Sequence, residues 1–361
     1  VYSNTEYCIK IHAYKTKEEC MVRKMMTILI MVGLVAGFGF AEGQGEKAQP
    51  GEKQQYNLVF SSNASPNMSH GQAAKVFEEE IEKSTNGQIS VEVYLAGSLA
   101  TQEGQLPACR KGTIDMTMGG PNWFAEYIPY IKMFAAGYIF NDYDHMTKVM
   151  NGEIGKKIEE DLVDAAGVRI MTTMYLGTRQ VNLRDIGRVV KTPADMNGVK
   201  IRMPNTESWQ FMGEALGAQP TPLAISEVYL AMKNGTVDGQ DNPLPTNIVR
   251  KFYEVSKYII LTGHYVNPII PIINEDTWKM LGPDLQEKVR DAWEKAREFC
   301  DNDVLEREAS AQETLEAEGM TFVEVDQSVW KDHVLNFYLD SEKMSGDWDM
   351  DLYDAVLEEG K

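Results

Sequence analysis

The sequence of 361 residues has only four cysteines, too few for a fold stapled by disulfides. Its five histidines, at positions 12, 70, 145, 264 and 333, are isolated from one another, so no metal-ligand spacing appears and no metal or cofactor is expected. Basic residues are also short. Lys and Arg number 35 against 54 Asp and Glu, giving a net charge of -19, and no basic block occurs beyond Arg23-Lys24. A nucleic-acid partner is therefore excluded, because neutralising phosphates takes clustered cations. The motifs of common enzymes are missing too: there is no Gly-x-Ser-x-Gly elbow, P-loop, His-Glu-x-x-His or Cys-x-x-Cys. Gly37, Gly39 and Gly43 loosely imitate a dinucleotide loop, but no strand precedes them. No catalytic residue is assigned, and the chain is not expected to be an enzyme.

What is present begins with an address. Arg23 and Lys24 precede an uncharged run from Met25 to Phe40 that ends on Gly39-Phe40-Ala41. The run is shorter than the roughly 20 residues of a membrane span, and small residues close it, so 1–41 is expected to hold a cleaved signal peptide with its start at Met21 or Met25. The stretch 42–55 is Gly, Gln, Glu and Lys with one Pro, the composition of a flexible tether. Export implies a periplasmic location. Cys109 and Cys300 remain in the body, both in helical patterns among apolar neighbours, and are expected to stay unpaired.

From Tyr56 onward short apolar strands alternate with amphipathic helices. Strands are expected at Tyr56–Ser61 and through Ile89, Val91, Val93 and Leu95, with a helix over Ser69–Lys83 between them. That alternation predicts an α/β fold with a mainly parallel sheet. An internal repeat is visible: Ala108-Cys109-Arg110-Lys111-Gly112-Thr113-Ile114-Asp115 returns as Ala231-Met232-Lys233-Asn234-Gly235-Thr236-Val237-Asp238. Each copy predicts a helix end, a left-handed glycine and a strand. Turn residues are expected after both strands, placing Asn122 and Asn242 across one cleft at the carboxyl ends of parallel strands, where open α/β sheets bind ligands. Pro283 should open a long helix through Leu285, Val289, Ala292, Ala296 and Phe299, ended by Gly319. Acidic helices should follow, packing Trp330, Phe337, Trp348 and Tyr353.

Two arginines stand in apolar strands: Arg179 in Gly177-Thr178-Arg179-Gln180, and Arg202 in Lys200-Ile201-Arg202-Met203-Pro204. A buried guanidinium needs an anion, and its planar fork matches a carboxylate. That anion is either an internal acid or an organic acid ligand.

Six motifs in order then carry a resemblance: Gly177-Thr178-Arg179-Gln180, Asp195 to Pro204, Gly217 to Pro222, Ser226 to Ala231, Val237 to Pro243, and Lys251-Phe252-Tyr253-Glu254-Val255. Together they resemble the extracytoplasmic solute-binding subunit of tripartite ATP-independent periplasmic (TRAP) transporters, over Tyr56 to about Tyr338. The resemblance implies a two-domain periplasmic binding protein, type II-like, with segments crossing between domains and a long bracing helix. Domain I would comprise 56–176 plus 268–307, and domain II 177–267 plus 308–361. It implies Arg202 as the carboxylate anchor, Arg179 as a second arginine near the acid end, Asn242 as a ligand-bonding amide, Ile225 where a sialate binder has an aromatic wall, and Asn63 on the first loop. Gly120 stands where the sialate pattern has an acid, which argues against sialate. Gln102, Asn122, Trp123 and Asn205 complete the expected site. Amides suit hydroxyl groups, so a sugar acid (a uronate or aldonate) is favoured over a C4-dicarboxylate. The expected partners are that acid and the integral membrane subunits of a TRAP transporter, with the protein a monomer.

Overall fold

A computed structural model describes residues 54–361. The expected signal peptide and most of the tether lie outside the described residues. Ten strands form the frame: β1 Tyr56–Ser61, β2 Ile89–Tyr94, β3 Met116–Gly119, β4 Val168–Ile170, β5 Met174–Leu183, β6 Lys200–Met203, β7 Gln219–Pro222, β8 Gly239–Pro243, β9 Tyr258–Asn274 and β10 Thr321–Val323. They join in one sheet of order β2-β1-β3-β9-β5-β8-β6-β7, with β4 and β10 also on β9.

The sheet is mixed, not mainly parallel. Pairings β1/β2, β1/β3, β6/β7, β6/β8 and β9/β10 are parallel, whereas β9 runs against β3, β4 and β5, and β5 runs against β8. Helix-strand alternation predicts the parallel part. It cannot predict that two long strands return through the molecule against their neighbours.

The two ends of the sheet are built alike. β2-β1-β3 backed by β9 matches β7-β6-β8 backed by β5, so β3 and β8, the strands after the repeated segments, hold equivalent positions. The repeat also performs the same local task twice. Asp115 N donates to Val59 O at 3.0 Å while Asp115 Oδ2 accepts from Val59 N at 2.8 Å; Asp238 N donates to Lys200 O at 2.7 Å while Asp238 Oδ2 accepts from Lys200 N at 2.9 Å. Gly112 and Gly235 take φ of +66° and +73°, the left-handed backbone that turns each helix end into its strand.

Burial follows the apolar periodicity. The helix Ser69–Ser84 buries Ala73, Ala74, Phe77 and Ile81. Phe77 stacks on Trp293 at 4.2 Å between ring centroids, fixing this helix to the 35-residue helix Pro283–Ala317. The long helix also packs on β5 and on the helix Leu244–Val249, and so touches both ends of the sheet. Its buried stripe runs through Leu285, Val289, Ala292, Trp293, Ala296 and Cys300, but Phe299, expected on it, is 38% exposed because Cys300 takes that facing position. Cys109 and Cys300 are buried and unpaired.

The C-terminal helices depart from expectation in one respect: Trp330, Trp348 and Tyr353 are buried, whereas Phe337 lies at the surface beside Phe211. The terminal helix Met350–Glu359 packs on the helix Tyr143–Met150: His145 Nε2 lies 2.8 Å from Val356 O, and Asn141 Nδ2 donates to Gly360 O at 3.1 Å. Among the described residues, no helix is long and apolar enough to cross a membrane.

β5 is interrupted where it passes between the two ends. Its register with β9 shifts between Tyr175 and Thr178, and Gly177 there has φ +123°. A Cβ on Gly177 would lie 2.5 Å from Pro243 Cβ and 2.8 Å from Glu308 Oε1, so the position is closed by conformation and by space. Gly167, with φ +65° and nothing within 4 Å of its would-be Cβ, offers a control with conformation alone. Gly167→Ala should cost about 1 kcal/mol. Gly177→Ala should cost a further 1 to 3 kcal/mol or so from overpacking. Denaturant melts of the two variants measure the difference, and equal losses would show that the space at Gly177 is unimportant.

Candidate functional site

The carboxyl ends of β1, β3, β6 and β8 converge on one cavity of about 110 Å³. Arg202 enters it from β6. It is 2% exposed; its Nε donates to Leu223 O at 2.8 Å, and its Nη2 is enclosed with no hydrogen-bond partner among the described residues. Burial pushes its guanidinium down to about 9; Asp241 opposes that shift, while the nearby Arg179 and Arg250 reinforce it. No described carboxylate lies within salt-bridge distance of Arg202.

Arg179 is different, because its charge is compensated. Projecting from β5, it donates through Nε to Asn267 Oδ1 at 2.7 Å and through Nη1 to Asp241 O at 2.8 Å and Asp241 Oδ2 at 3.1 Å. Trp209 covers the guanidinium, with 4.2 Å from Cζ to the ring centre. Asp241 is fully buried. Burial alone would raise its carboxyl, but Arg179 and His264, with Arg202 behind them, hold it below the usual carboxylate range. His264 Nε2 lies 3.2 Å from Asp241 Oδ2, and its Nδ1 lies 2.8 Å from Thr262 Oγ1. Arg179 thus has an internal acid as its partner, and Arg202 has none among the described residues.

The segment Gln240-Asp241-Asn242-Pro243, expected as a turn, is strand β8. Its amides are satisfied sideways, which lets so polar a strand lie buried. Gln240 Nε2 donates to Asn182 Oδ1 at 3.0 Å and to Asn247 Oδ1 at 2.7 Å, and Asn242 Nδ2 donates to Gln240 Oε1. Asn242 is therefore presented to the cavity by the end of a strand, on a fixed network.

Of the nine residues expected at the site, Arg179, Arg202, Asn242, Asn63, Asn122, Trp123, Gln102 and Ile225 line this cavity. Asn205 does not. It is exposed in a neighbouring surface groove with Glu103 and Thr206, because the chain leaves the strand at Pro204 and turns outward. Two polar contacts join the opposite ends of the sheet at the cavity: Asn122 Nδ2 to Thr206 Oγ1 and Arg250 Nη2 to Asn63 O, each at 3.4 Å.

Several wall residues are absent from the sequence-based set. Trp209, Asn267, Thr246 and Gln105 contribute side chains whose positions depend on tertiary pairing. His70, in the first turn of Ser69–Ser84, is buried with Nε2 unpartnered, and burial pushes its imidazole down to about 4 against the pull of Asp303, so it is neutral at pH 7. Arg250 follows the helix Leu244–Val249 and stands beside Lys251, which disguises it as a surface cation. Among the described residues, three arginines line the cavity and no carboxylate does.

A family profile described as DctP, bacterial extracellular solute-binding protein family 7, matches residues 60–343. A solute-binding protein of Roseobacter denitrificans is 37% identical over 267 residues, covering 73% of this chain and 81% of the relative. The 2,3-diketo-L-gulonate-binding periplasmic protein of Escherichia coli is 29% identical over 243 residues, covering 67% of this chain and 73% of its own. Among solved structures, a TRAP periplasmic solute-binding protein of Roseobacter denitrificans with bound 3-deoxy-D-manno-oct-2-ulosonic acid superposes with a TM-score of 0.81 at 34% identity, covering 85% of this chain and all of that one. Another from the same organism, with bound L-galactonate, gives 0.77 at 32% identity with the same coverage. The two-domain α/β fold is thereby shown, and the chain belongs to the bacterial extracellular solute-binding protein family 7 of TRAP transporters.

Proposed function

We propose that this protein captures a sugar acid in the periplasm and delivers it to the integral membrane subunits of a TRAP transporter, without catalysing a reaction. The observation that carries the assignment is Arg202: a buried guanidinium with an unpartnered Nη2 at the end of a strand is a receptor awaiting an anion. Arg179 stands beside it, with Nε and Nη1 already committed to Asn267 and Asp241. That commitment disfavours an Arg179-Arg202 pair holding the two ends of a C4-dicarboxylate. The amides Asn63, Gln102, Asn122 and Asn242, with neutral His70, supply donors and acceptors for hydroxyl groups, and Trp123 and Ile225 offer apolar walls. General acid-base chemistry has little to use here, since the wall holds one neutral histidine and no carboxylate.

Capture works through closure. The acid binds between the two domains, the domains rock together, and expelled water strengthens the ion pair. The closed form then shows the membrane subunits a surface that the open form lacks. The relatives fit this class of ligand, including the E. coli protein named for 2,3-diketo-L-gulonate and the structures with bound sugar acids.

Arg202→Ala should abolish capture while the fold persists. Removing one partner of a desolvated charge pair costs roughly 2 to 5 kcal/mol, on the order of 30-fold to 4,000-fold in affinity. Calorimetric titration with glucuronate and galactonate measures it, and near-normal affinity in a folded variant would return Arg202 to a structural role. Closure makes a separate expectation. Protein stripped of host-derived acid by denaturation and refolding should show a smaller radius of gyration in solution scattering once saturated with ligand. An unchanged scattering profile at saturation would remove the hinge.

A further inference from the structure

We propose that Arg250 reads a second carboxylate, so that the acid this cavity selects is a polyhydroxylated dicarboxylate of the aldarate type, with the sugar-acid assignment above as the premise. Arg179, Arg202 and Arg250 all line the cavity, yet only Arg179 has a carboxylate partner, Asp241. His70 is neutral. Glu103, the further acid whose field reaches Arg202, is exposed and does not line the cavity. Two guanidinium groups at one cavity therefore lack a salt-bridge partner among the described residues, and a single ligand carboxylate pairs with one of them.

Arg250 carries the marks of a receptor itself. Its Nε is enclosed and has no hydrogen-bond partner, and the one hydrogen bond of its guanidinium to a described residue is the long contact from Nη2 to Asn63 O. Burial lowers its pKa, with no neighbouring carboxylate acting against the shift. Its charge also pushes the Arg202 guanidinium further down, so the two cations repel across the site. A dianion with one carboxylate at each guanidinium relieves both. The amides on the same cavity wall hydrogen-bond the hydroxyls of the carbon chain, and a plain C4-dicarboxylate would leave them unpaired. Because Arg250 reaches from the second end of the sheet to Asn63 on the first, its carboxylate would also be gripped across the cleft.

Matched acids separate this from a single-carboxylate site, since D-glucarate differs from D-gluconate, and galactarate from galactonate, only by a second carboxylate in place of a terminal alcohol. Titrated into the refolded full chain, at least one diacid should bind about tenfold or more tightly than its monoacid, the factor expected of a charge-assisted hydrogen bond. Arg250→Gln, checked for folding by circular dichroism, should lose about tenfold more affinity for that diacid than for the monoacid, and Arg250→Lys should recover part of the loss. Monoacids binding more tightly in both pairs would overturn the proposal, as would equal losses for both acids in Arg250→Gln; either result leaves the sugar-acid assignment standing. If no hydroxylated acid binds the wild-type chain, both fall together. Should Arg250→Gln fail to fold, the wild-type preference alone decides.

Discussion

The structure turns on a charge that the protein itself leaves unbalanced. Burying an ion costs several kcal/mol even after relaxation, and a pair repays that cost only with good geometry. Arg179 meets the condition through Asp241, which His264 braces in turn. Arg202 does not meet it within the described chain. An empty site is therefore electrostatically strained, and an anion that enters gains an interaction for which the desolvation of the guanidinium has already been met by folding. Ligand that binds the native state alone then raises its stability by mass action, so capture and folding stability are linked.

Such a charge can be held because the strands around it are duplicated. Asp115 and Asp238 tie the start of β3 to β1 and of β8 to β6 with the same pair of reciprocal bonds, fixing which strand ends lie side by side. The cavity forms where the two copies face each other. The first copy supplies Asn63 and Asn122, and the second supplies Arg202 and Asn242. Neither copy alone lines the whole cavity.

Much of this was legible in the sequence, for reasons that can be named. Arg202 and Arg179 stand out because an arginine in an apolar strand has few ways to be satisfied, and the repeat around Gly112 and Gly235 is written in consecutive residues. The long helix is announced by Pro283 and closed by Gly319. Long-range pairing was not legible. Nothing local in Gln240-Asp241-Asn242-Pro243 separates a turn from a buried polar strand, since the difference lies in Asn182 and Asn247, which arrive from elsewhere. Arg250 and His70 look like surface residues until the chain folds them against the cavity, and Asn205 looks like a site residue until the chain turns outward after Pro204. Strand direction is hidden in the same way, because β5 and β9 acquire their antiparallel sense from the order in which the chain visits the two ends.

Those two strands also mark where the proposed closure would bend the molecule. β5 carries a register break at the point where it leaves one end of the sheet for the other, and a broken ladder is softer and more twisted than a regular one. The long helix clasps both sides of the break: Asp301 Oδ1 accepts from Tyr175 N at 2.7 Å and Glu308 Oε1 accepts from Thr178 N at 2.7 Å. Both carboxyls are raised above their usual range, chiefly by burial. Tyr175 OH adds a bond to Glu308 Oε2 at 2.7 Å, so the backbone groups freed by the break are answered from a single helix. A bulge satisfied this way can change its angle without exposing unpaired backbone, because the acceptors travel with the helix that spans both ends. Strand ends hold the arginines, and the irregular crossing is where the proposed closure would be taken up.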